Sequence, residues 1–458
     1  MIDIRDHGGN YAGKKGLTIE GVFEERAKCH TSVKKNNIYS INRYNYVNDY
    51  KQYLSGHGWI AGSSAMTCPD LFSLGNDIYL VVSGNNKSEI YAMFFKLTGN
   101  IMSFIREFKI ADGLVNYGFS KITKDKKKLI ITYRDLVNYD GTVICCAINE
   151  DQTLTIGQSK MLVDSGTNAS VLQISEMLDD NCGILVSRIN GSNHTFATLF
   201  SLNGNNINAH NSLQVSSNAG GNGLTMNAVD SNTAIITTRK NNDASMVYYY
   251  MLRRTGSTLY KSVEYATSNQ SIYPVGQISD LSISSQDEVY YYVNLLTAGA
   301  TYSSSWKFRI PKDNTNLSFS LLSVTNYPNE VSGLSTISFI DNHRNGVSCR
   351  RDTAATSIAR LRMWNSEYAS GYNEVSASLM YNMSNDMCMC KDVISGDTKK
   401  FLLFTFASFP TFIIFETEHK LNIYKPGQLT STSYNGAFFS VPKEDGPTNS
   451  WVKTSTLI

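Results

Sequence analysis

The chain has 458 residues, of which 42% are hydrophobic and 17% are charged, and its formal net charge is +2. The hydrophobic content can supply a core, but the charged content lies below the ~25% of typical globular proteins, so Asn, Ser, Thr, Gly and Tyr must form much of the surface. A net charge so near zero creates no overall field of the kind that nucleic-acid-binding proteins present, and we expect no nucleic-acid partner.

Residues 1–66 precede the repeats and combine mixed charge with a tyrosine-rich stretch between Tyr39 and Tyr53. Acids and glycines stand near the amino terminus where a secretory signal would place a basic segment and an apolar run, so we expect no signal peptide. A short helix is predicted over 47–54. We interpret residues 1–66 as a docking or oligomerisation arm.

Residues 67–425 repeat a pattern of short strands joined by turns rich in Gly and Asn. A motif ending in arginine occurs at Arg134, Arg188, Arg239 and, more loosely, Arg350, with separations of 54, 51 and 111 residues. The last separation is two steps of similar length, and repeats in this range are typical of propeller blades. Around each motif, four predicted strands follow one another as the antiparallel meander of one blade.

Seven such units can be followed along the chain. Their second strands are continuous apolar runs such as LIIT, which predicts sheets buried on both faces. Second-strand anchors are placed at Ile78, Leu129, Ile184, Ala234, Val289, Val347 and Leu402. The sequence predicts an all-β protein, a β-propeller of four-stranded antiparallel blades, with seven blades favoured. Five blades and a distal β domain are the alternative if the last two units fold separately.

The carboxyl-terminal part contains the most apolar stretch and a polar end. Residues 401–415 form an apolar run of 15 residues that contains Pro410, shorter than the ~20 residues of a membrane helix, so we expect two buried strands and no membrane insertion. Residues 426–458 are rich in Gly, Ser, Thr and Pro. We predict that they form a small hairpin or a strand that completes the last blade, since propellers often combine strands from both termini.

The eight cysteines show no pattern of a metal site or a disulfide framework. Cys145 and Cys146 lie in the apolar segment TVICCAI, which predicts small buried side chains with free thiols. Cys388 and Cys390 have no further Cys or His pair at ligand spacing, so neither a metal nor a cofactor is expected. Free thiols indicate folding in a reducing cytoplasm.

The arginines at the ends of second strands are the candidate ligand-binding residues. Strand ends at this position lie on one face of a propeller, and Arg binds phosphate or carboxylate through two parallel hydrogen bonds, so such a rim would suit a polyanion. The candidates are Arg134, Arg188, Arg239, Lys240, Arg350 and Arg351. The competing interpretation, which we favour, is that a recurrent arginine fastens one blade to the next.

No catalytic residue is assigned. The Asp-box common in sialidases is missing, no Glu stands near a Tyr at an equivalent position, and the seven histidines are scattered. The tyrosine runs at 248–250 and 290–292 could stack on sugars, but such runs in strands more often pack between blades. The protein is therefore expected to bind rather than to catalyse.

In its organisation the chain resembles phage tail and adsorption-apparatus proteins, with an unrepetitive amino-terminal arm, Asn- and Tyr-rich blades and a Gly/Ser/Thr-rich end. The resemblance implies a virion protein, frequently a homotrimer. It further implies that residues 1–66 bind other tail or baseplate proteins. The propeller would then attach to a host cell-wall glycopolymer, for which an anionic teichoic acid is one candidate.

Two alternatives remain open. One is a propeller hydrolase or lyase that acts on polysaccharide, which would turn its ligand over. The other is an intracellular propeller scaffold, which would be a monomer.

Overall fold

The computed structural model describes part of the chain, and side chains are described for a subset of these residues. The described ranges are 22–29, 32–35, 39–54, 66–98, 101–115, 119–137, 140–163, 171–189, 194–217, 219–240, 246–268, 276–278, 288–297, 300–309, 317, 320–330, 336–339, 345–351, 358–365, 368–378, 387–392, 398–406, 410–424, 438–448 and 451–457.

Two strands, β1 (Val22–Cys29) and β2 (Tyr39–Leu54), precede the repeats. The first sheet then follows in chain order and is antiparallel. It consists of β3 (Met66–Gly75), β4 (Ile78–Asn85), β5 (Glu89–Thr98) and β6 (Ile101–Asp112).

The second and third sheets repeat this meander. The second consists of β7 (Ser120–Ile122), β8 (Lys128–Arg134), β9 (Gly141–Ile148), β10 (Leu154–Ile156) and β11 (Lys160–Val163), of which the last two pair with the same neighbour. The third consists of β12 (Val171–Asp179), β13 (Cys182–Ile189), β14 (His194–Asn203) and β15 (Asn206–Ser216).

The next three sheets have the same strand order. The fourth consists of β16 (Ala219–Ala228), β17 (Thr233–Lys240), β18 (Met246–Thr255), β19 (Thr258–Lys261) and β20 (Tyr265–Ser268), of which the last two both pair with β18. The fifth consists of β21 (Gly276–Ile278), β22 (Glu288–Thr297), β23 (Ala300–Arg309) and β24 (Ser320–Glu330). The sixth consists of β25 (Thr336–Phe339), β26 (Asn345–Arg351), β27 (Ile358–Asn365) and β28 (Tyr368–Ser378).

The last sheet combines strands from both ends of the chain. It contains β29 (Met387–Asp392), β30 (Thr398–Phe406), β31 (Pro410–Tyr424), β32 (Phe438–Pro442) and β33 (Trp451–Leu457), together with β1 and β2. β2 pairs antiparallel with β31 from Ser40↔Tyr424 to Leu54↔Thr411. It therefore stands beside β31 as the fourth strand does in the other sheets.

Beyond the four-stranded part formed by β29, β30, β31 and β2, the terminal strands pair in a closed circuit. β2 pairs with β32, β32 with β33, and β33 with β1. β1 returns to β31 through the parallel pairs Lys28↔Asn422 and Cys29↔Ile423. The long strands β2 and β31 thus take part both in the seventh blade-like sheet, with β29 and β30, and in the circuit with β1, β32 and β33. The register shift in β2 between Val47 and Asp49 lies between these two parts.

The first strands of the sheets contact one another around a common axis. β12 contacts β7 and β16, β21 contacts β16 and β25, and β29 contacts β25 and β3. A hydrogen bond from Ser120 in β7 to Asp70 in β3 joins the two remaining neighbours. The sheets therefore stand radially, with first strands innermost, which is the architecture of a β-propeller.

Among the described side chains, the core consists of layers between successive sheets, because both faces of the second and third strands are apolar. Leu80 and Val82 of β4 pack with Leu129 and Ile131 of β8. The opposite side of β8 presents Ile130 to the third sheet. That sheet in turn packs Ile184 and Val186 against the fourth in a cluster with Ala234, Ile236 and Tyr250.

The predicted fold class is confirmed: the chain is all-β, built of four-stranded antiparallel sheets, and all seven anchors lie in the second strands of their units. The blade number stays a prediction, because the seventh sheet is a composite of seven strands. The helix expected over 47–54 is wrong, since these residues belong to β2. The domain boundaries at 66 and 425 also stay predictions.

Within the described residues there is no helix long and apolar enough to span a bilayer. The side chains of Cys145, Cys146 and Cys182 are buried thiols, as predicted for the first two. The other five cysteines lie outside the described side chains.

Candidate functional site

The predicted arginines occupy the same end of their second strands. Arg134 ends β8, whereas Arg188, Arg239 and Arg350 each lie one residue before the end of β13, β17 and β26. Lys240 and Arg351 are the last residues of their strands.

Side-chain alternation assigns two of these arginines to the layers between sheets. Arg134 shares its side of β8 with Ile130, which packs with Leu185 of the third sheet. Arg188 shares its side of β13 with Val186, which packs against the fourth sheet. Each side chain is directed toward the next sheet along the chain.

Arg188 is only 8% exposed, and burial lowers the pKa of its guanidinium. A side chain so enclosed is poorly placed to meet a polymer from solution, and this burial favours the fastening role. Arg239, Lys240, Arg350 and Arg351 lie in described strands, but their side chains are not among those described. A ligand-binding role for the rim stays a prediction.

A pocket of about 510 Å³ lies at the opposite end of the strands, between the third and fourth sheets. It is formed by the turn between β12 and β13, by β14 and β15, and by the turn between β18 and β19. The lining residues are Asp179, Asp180, Asn181, Cys182, Ser201, His210, Arg254, Gly256 and Ser257. Its volume falls in the range of small-molecule sites.

The pocket exists because one wall position departs from the repeat. The same turn hydrogen bond, from a third-strand N–H to the carbonyl before the second strand, identifies equivalent positions in four sheets: Leu97, Ile148, Leu202 and Arg254. The first three are apolar and pack into the layer against the preceding sheet. Arg254 replaces this apolar residue with a polar wall.

A second difference enlarges the opening. Gly204 and Gly256 have the same φ of +60° in equivalent turns, so Asn205 and Ser257 correspond. Asn205 packs closely over Gly157 of the second sheet and donates from Nδ2 to the Thr155 carbonyl at 3.2 Å. Ser257 is shorter and lines an open pocket.

Arg254 is fixed by an ion pair across the pocket. Its Nη2 donates to Asp179 Oδ2 at 2.7 Å, and Nη2 also lies 3.4 Å from Asn232 Oδ1. Burial would lower the pKa of Arg254, but its contacts with Cys182 and Asp179 raise it above the ordinary value. Burial raises the pKa of the Cys182 thiol in spite of Arg254, so this cysteine stays protonated near neutral pH.

Asp179 also holds the turn that it occupies. Its Oδ1 accepts a hydrogen bond from the Asn181 N–H at 2.8 Å. Asp230 makes the same bond to Asn232 at 2.7 Å, and Asp125 makes it to Lys127 at 3.0 Å. An aspartate in this turn is therefore a local stabilising device. The sequence gives no indication that one of these three aspartates, Asp179, also forms an ion pair with an arginine.

The other side of the pocket is tied to the second sheet. Lys128 Nζ donates to Asn181 Oδ1 at 2.9 Å and to the Asp180 carbonyl at 3.4 Å. Asp180 Oδ1 accepts from the Asp125 N–H at 3.1 Å. These contacts hold the Asp179–Asn181 turn in place before any ligand arrives.

His210 and Ser201 form the remaining polar pair. His210 Nε2 and Ser201 Oγ lie 2.8 Å apart, and both side chains reach the pocket from adjacent strands of the third sheet. In the sequence His210 is one of seven scattered histidines, and nothing there indicates its partner, because the register of β14 and β15 sets this cross-strand pair.

The structure also pairs a Tyr with a Glu, as a sialidase would. Tyr250 donates its hydroxyl hydrogen to Glu264 Oε2, but the ring is only 1% exposed and packs in the layer between the third and fourth sheets. Burial and Glu264 raise the pKa of Tyr250, the opposite of what a nucleophile needs. Tyr248 and Tyr249 are buried too, as the packing interpretation predicts. Tyr290–Tyr292 lie outside the described side chains.

No protein-family model matches the chain, and no curated protein matches its sequence. Solved structures similar in fold include the periplasmic gluconolactonase of Pseudomonas aeruginosa, at 12% identity over 75% of this chain and 97% of that protein, with a TM-score of 0.44. A mutant Aleuria aurantia lectin bound to α-methyl-L-fucoside has 8% identity over 68% and 95%, with a TM-score of 0.41. The WD40 domain of SCAP from fission yeast has 8% identity over 80% and 98%, with a TM-score of 0.41.

Proposed function

We propose that the protein binds a carbohydrate, the repeating sugar of a cell-surface glycopolymer, in the pocket between the third and fourth sheets. The observation that carries this proposal is the polar pocket created where Arg254 replaces an apolar wall residue. Its position at the end of the strands leaves it open to a long polymer.

The lining groups match the chemistry of sugars. Sugar hydroxyls both donate and accept, and the pocket offers carboxylates, an amide, hydroxyls, an imidazole and a guanidinium. The turn that bears Asp179 and Asp180 is held by hydrogen bonds from Asn181, Lys128 and Asp125. Such pre-organisation reduces the entropy lost on binding.

Binding accounts for this geometry better than hydrolysis does. A glycosidase needs a protonated carboxyl as general acid beside a second carboxylate. Both oxygens of Asp179 already accept hydrogen bonds within the protein, one from Asn181 and one from Arg254. This carboxylate therefore serves to hold the turn and the guanidinium of Arg254.

The finer role that we propose is host attachment by a phage tail. The organisation of the chain supports this role: residues 1–66 would carry the contacts to tail or baseplate proteins in a trimer. The propeller would present the pocket to the cell wall of the host.

Calorimetric titration with oligosaccharides released from bacterial cell walls tests the proposal. Ser257→Tyr fills the pocket from an exposed turn, so we expect binding to weaken by at least about tenfold. Lys124→Tyr places the same aromatic side chain on an exposed turn of the second sheet on the same face and should bind like the wild type.

The proposal would be overturned if no cell-wall sugar bound, or if Ser257→Tyr bound as well as the wild type while remaining folded. A reducing-end assay on the same mixtures separates binding from hydrolysis. Release of reducing ends by the wild type would favour the enzyme alternative.

A further inference from the structure

We infer that the pocket selects uncharged sugars and rejects sugars that carry a carboxylate, because Asp179 already neutralises Arg254. This inference rests on the proposed function and specifies the class of sugar.

The charges at the pocket are unfavourable for an anion. Among the lining residues, Asp179 and Asp180 contribute two carboxylates against the guanidinium of Arg254. Lys128 of the second sheet lies beside this turn and donates to Asn181 Oδ1 and to the Asp180 carbonyl. Opposite charge at the mouth would assist an anion, but among the residues that line the pocket the two carboxylates outnumber the one guanidinium.

An anionic sugar could reach Arg254 only by displacing Asp179. Side-chain exposures of 18% for Arg254 and 35% for Asp179 show that the pair is partly withdrawn from water. Displacement would exchange one ion pair for another and leave the Asp179 carboxylate facing a second anion, which is costly at reduced dielectric. An uncharged sugar avoids this cost, because its hydroxyls can donate to the carboxylates and leave the pair intact.

A single substitution should change this selectivity. Asp179→Asn keeps an oxygen that can accept from the Asn181 N–H, so the turn is maintained, but it removes the charge that neutralises Arg254. The freed guanidinium should then bind a ligand carboxylate through two parallel hydrogen bonds. Asp230→Asn is the matched control, since Asp230 caps the equivalent turn of the fourth sheet and does not line the pocket.

The experiment titrates the whole chain with paired oligomers that differ only in one carboxylate, such as galactose and galacturonic acid oligomers. We expect the wild type and Asp230→Asn to bind the neutral member at least about tenfold more tightly. In Asp179→Asn this ratio should fall by about tenfold or reverse.

Equal or tighter binding of the acidic oligomer by the wild type would overturn the inference but leave the proposed function standing. The inference would also be overturned if Asp179→Asn unfolded normally on heating and still bound the neutral and acidic oligomers with the same affinity ratio as the wild type. Binding of no sugar of either class would instead overturn the proposed function. If Asp179→Asn does not fold, the ratio measured for the wild type decides alone.

Discussion

Ser120 donates two hydrogen bonds to Asp70, from its backbone N–H at 3.0 Å and from Oγ at 2.7 Å, and both reach the same carboxylate oxygen. The pair joins the first strands of the first and second sheets. Lys121 continues the contact to the third sheet through a salt bridge to Glu176 at 2.9 Å. Three successive sheets are thereby linked near the propeller axis by polar side chains.

Asp70 should make stability depend on pH. Burial raises its pKa to about 6, although Ser120 and Lys121 oppose the shift. Because the folded state then binds a proton more tightly than the unfolded state, this contribution is full below about pH 4 and is lost as the pH rises through about 6. Asp70→Asn keeps an acceptor for Ser120 and removes the charge. We expect it to be more stable than the wild type at pH 8 by about 1–3 kcal/mol.

Urea unfolding at pH 4 and pH 8 checks this prediction. The gap between variant and wild type should be larger at pH 8. A variant that is less stable than the wild type at both values would contradict it and would show that the charge of Asp70 stabilises the fold.

Gly157 should tolerate no side chain. A Cβ at this position would lie 2.4 Å from the Cys145 carbonyl oxygen and 2.7 Å from that of Asn205, so backbone of two sheets would have to move. We expect Gly157→Ala to lower the free energy of unfolding by about 2–4 kcal/mol. Gly204→Ala is the control: nothing lies within 4 Å, and only the φ of +60° opposes alanine, at a cost of about 1 kcal/mol. Denaturant unfolding measures both variants. Equal losses in the free energy of unfolding for Gly157→Ala and Gly204→Ala would refute the close contact at Gly157.

Arg188 should matter for stability more than for binding. Its side chain is only 8% exposed and lies on the side of β13 that faces the fourth sheet, at the end remote from the pocket. Arg188→Ala is expected to lower the free energy of unfolding by about 1–3 kcal/mol and to leave sugar affinity unchanged. Arg188→Met retains most of the apolar contact and should recover part of the loss. An alanine variant of normal stability and reduced affinity would instead support the ligand-binding rim.

The periodicity of the chain was sufficient to predict sheets and second strands, because residues such as Ile130 and Ile184 have equivalent buried environments in the units whose side chains are described. The pocket was not predictable in this way, since it depends on departures from the repeat. Arg254 has an apolar residue at the corresponding position in three other sheets, a substitution that only an aligned register reveals. The role of Asp179 in the pocket could not be recognised from the sequence, because the equivalent turns of neighbouring sheets also contain an aspartate.

The helix predicted over 47–54 was wrong for a related reason. Val47 to Leu54 lacks a partner nearby in sequence, and its strand partner is β31, more than 350 residues away. Local pattern carries no information on such a distant pairing, whereas the strands of one blade pair with their immediate neighbours.

The three described cysteines should resist alkylation in the folded protein. Burial raises the pKa of Cys145 to about 11 and that of Cys146 to about 12, and it raises the pKa of Cys182 as well. Since the thiolate is the reactive form, we expect iodoacetamide at pH 8 to label these residues only after unfolding in guanidinium. Peptide mass spectrometry resolves each site. Rapid native labelling of Cys145 or Cys146 would contradict the close packing of β9.

The seventh sheet should depend on the amino-terminal strand. β2 pairs along nearly all of β31, and Phe412 of β31 packs against Phe95 of the first sheet at a ring-centroid distance of 4.8 Å. A chain that begins at residue 66 leaves this edge of β31 unpaired, so we expect its Tm to fall on the order of 10 °C. A synthetic peptide of residues 39–54 should restore the Tm at saturating concentration, while a scrambled peptide of the same composition should not. If the shortened chain melted at the temperature of the full chain, β2 would be an appendage to the seventh sheet rather than part of what stabilises it.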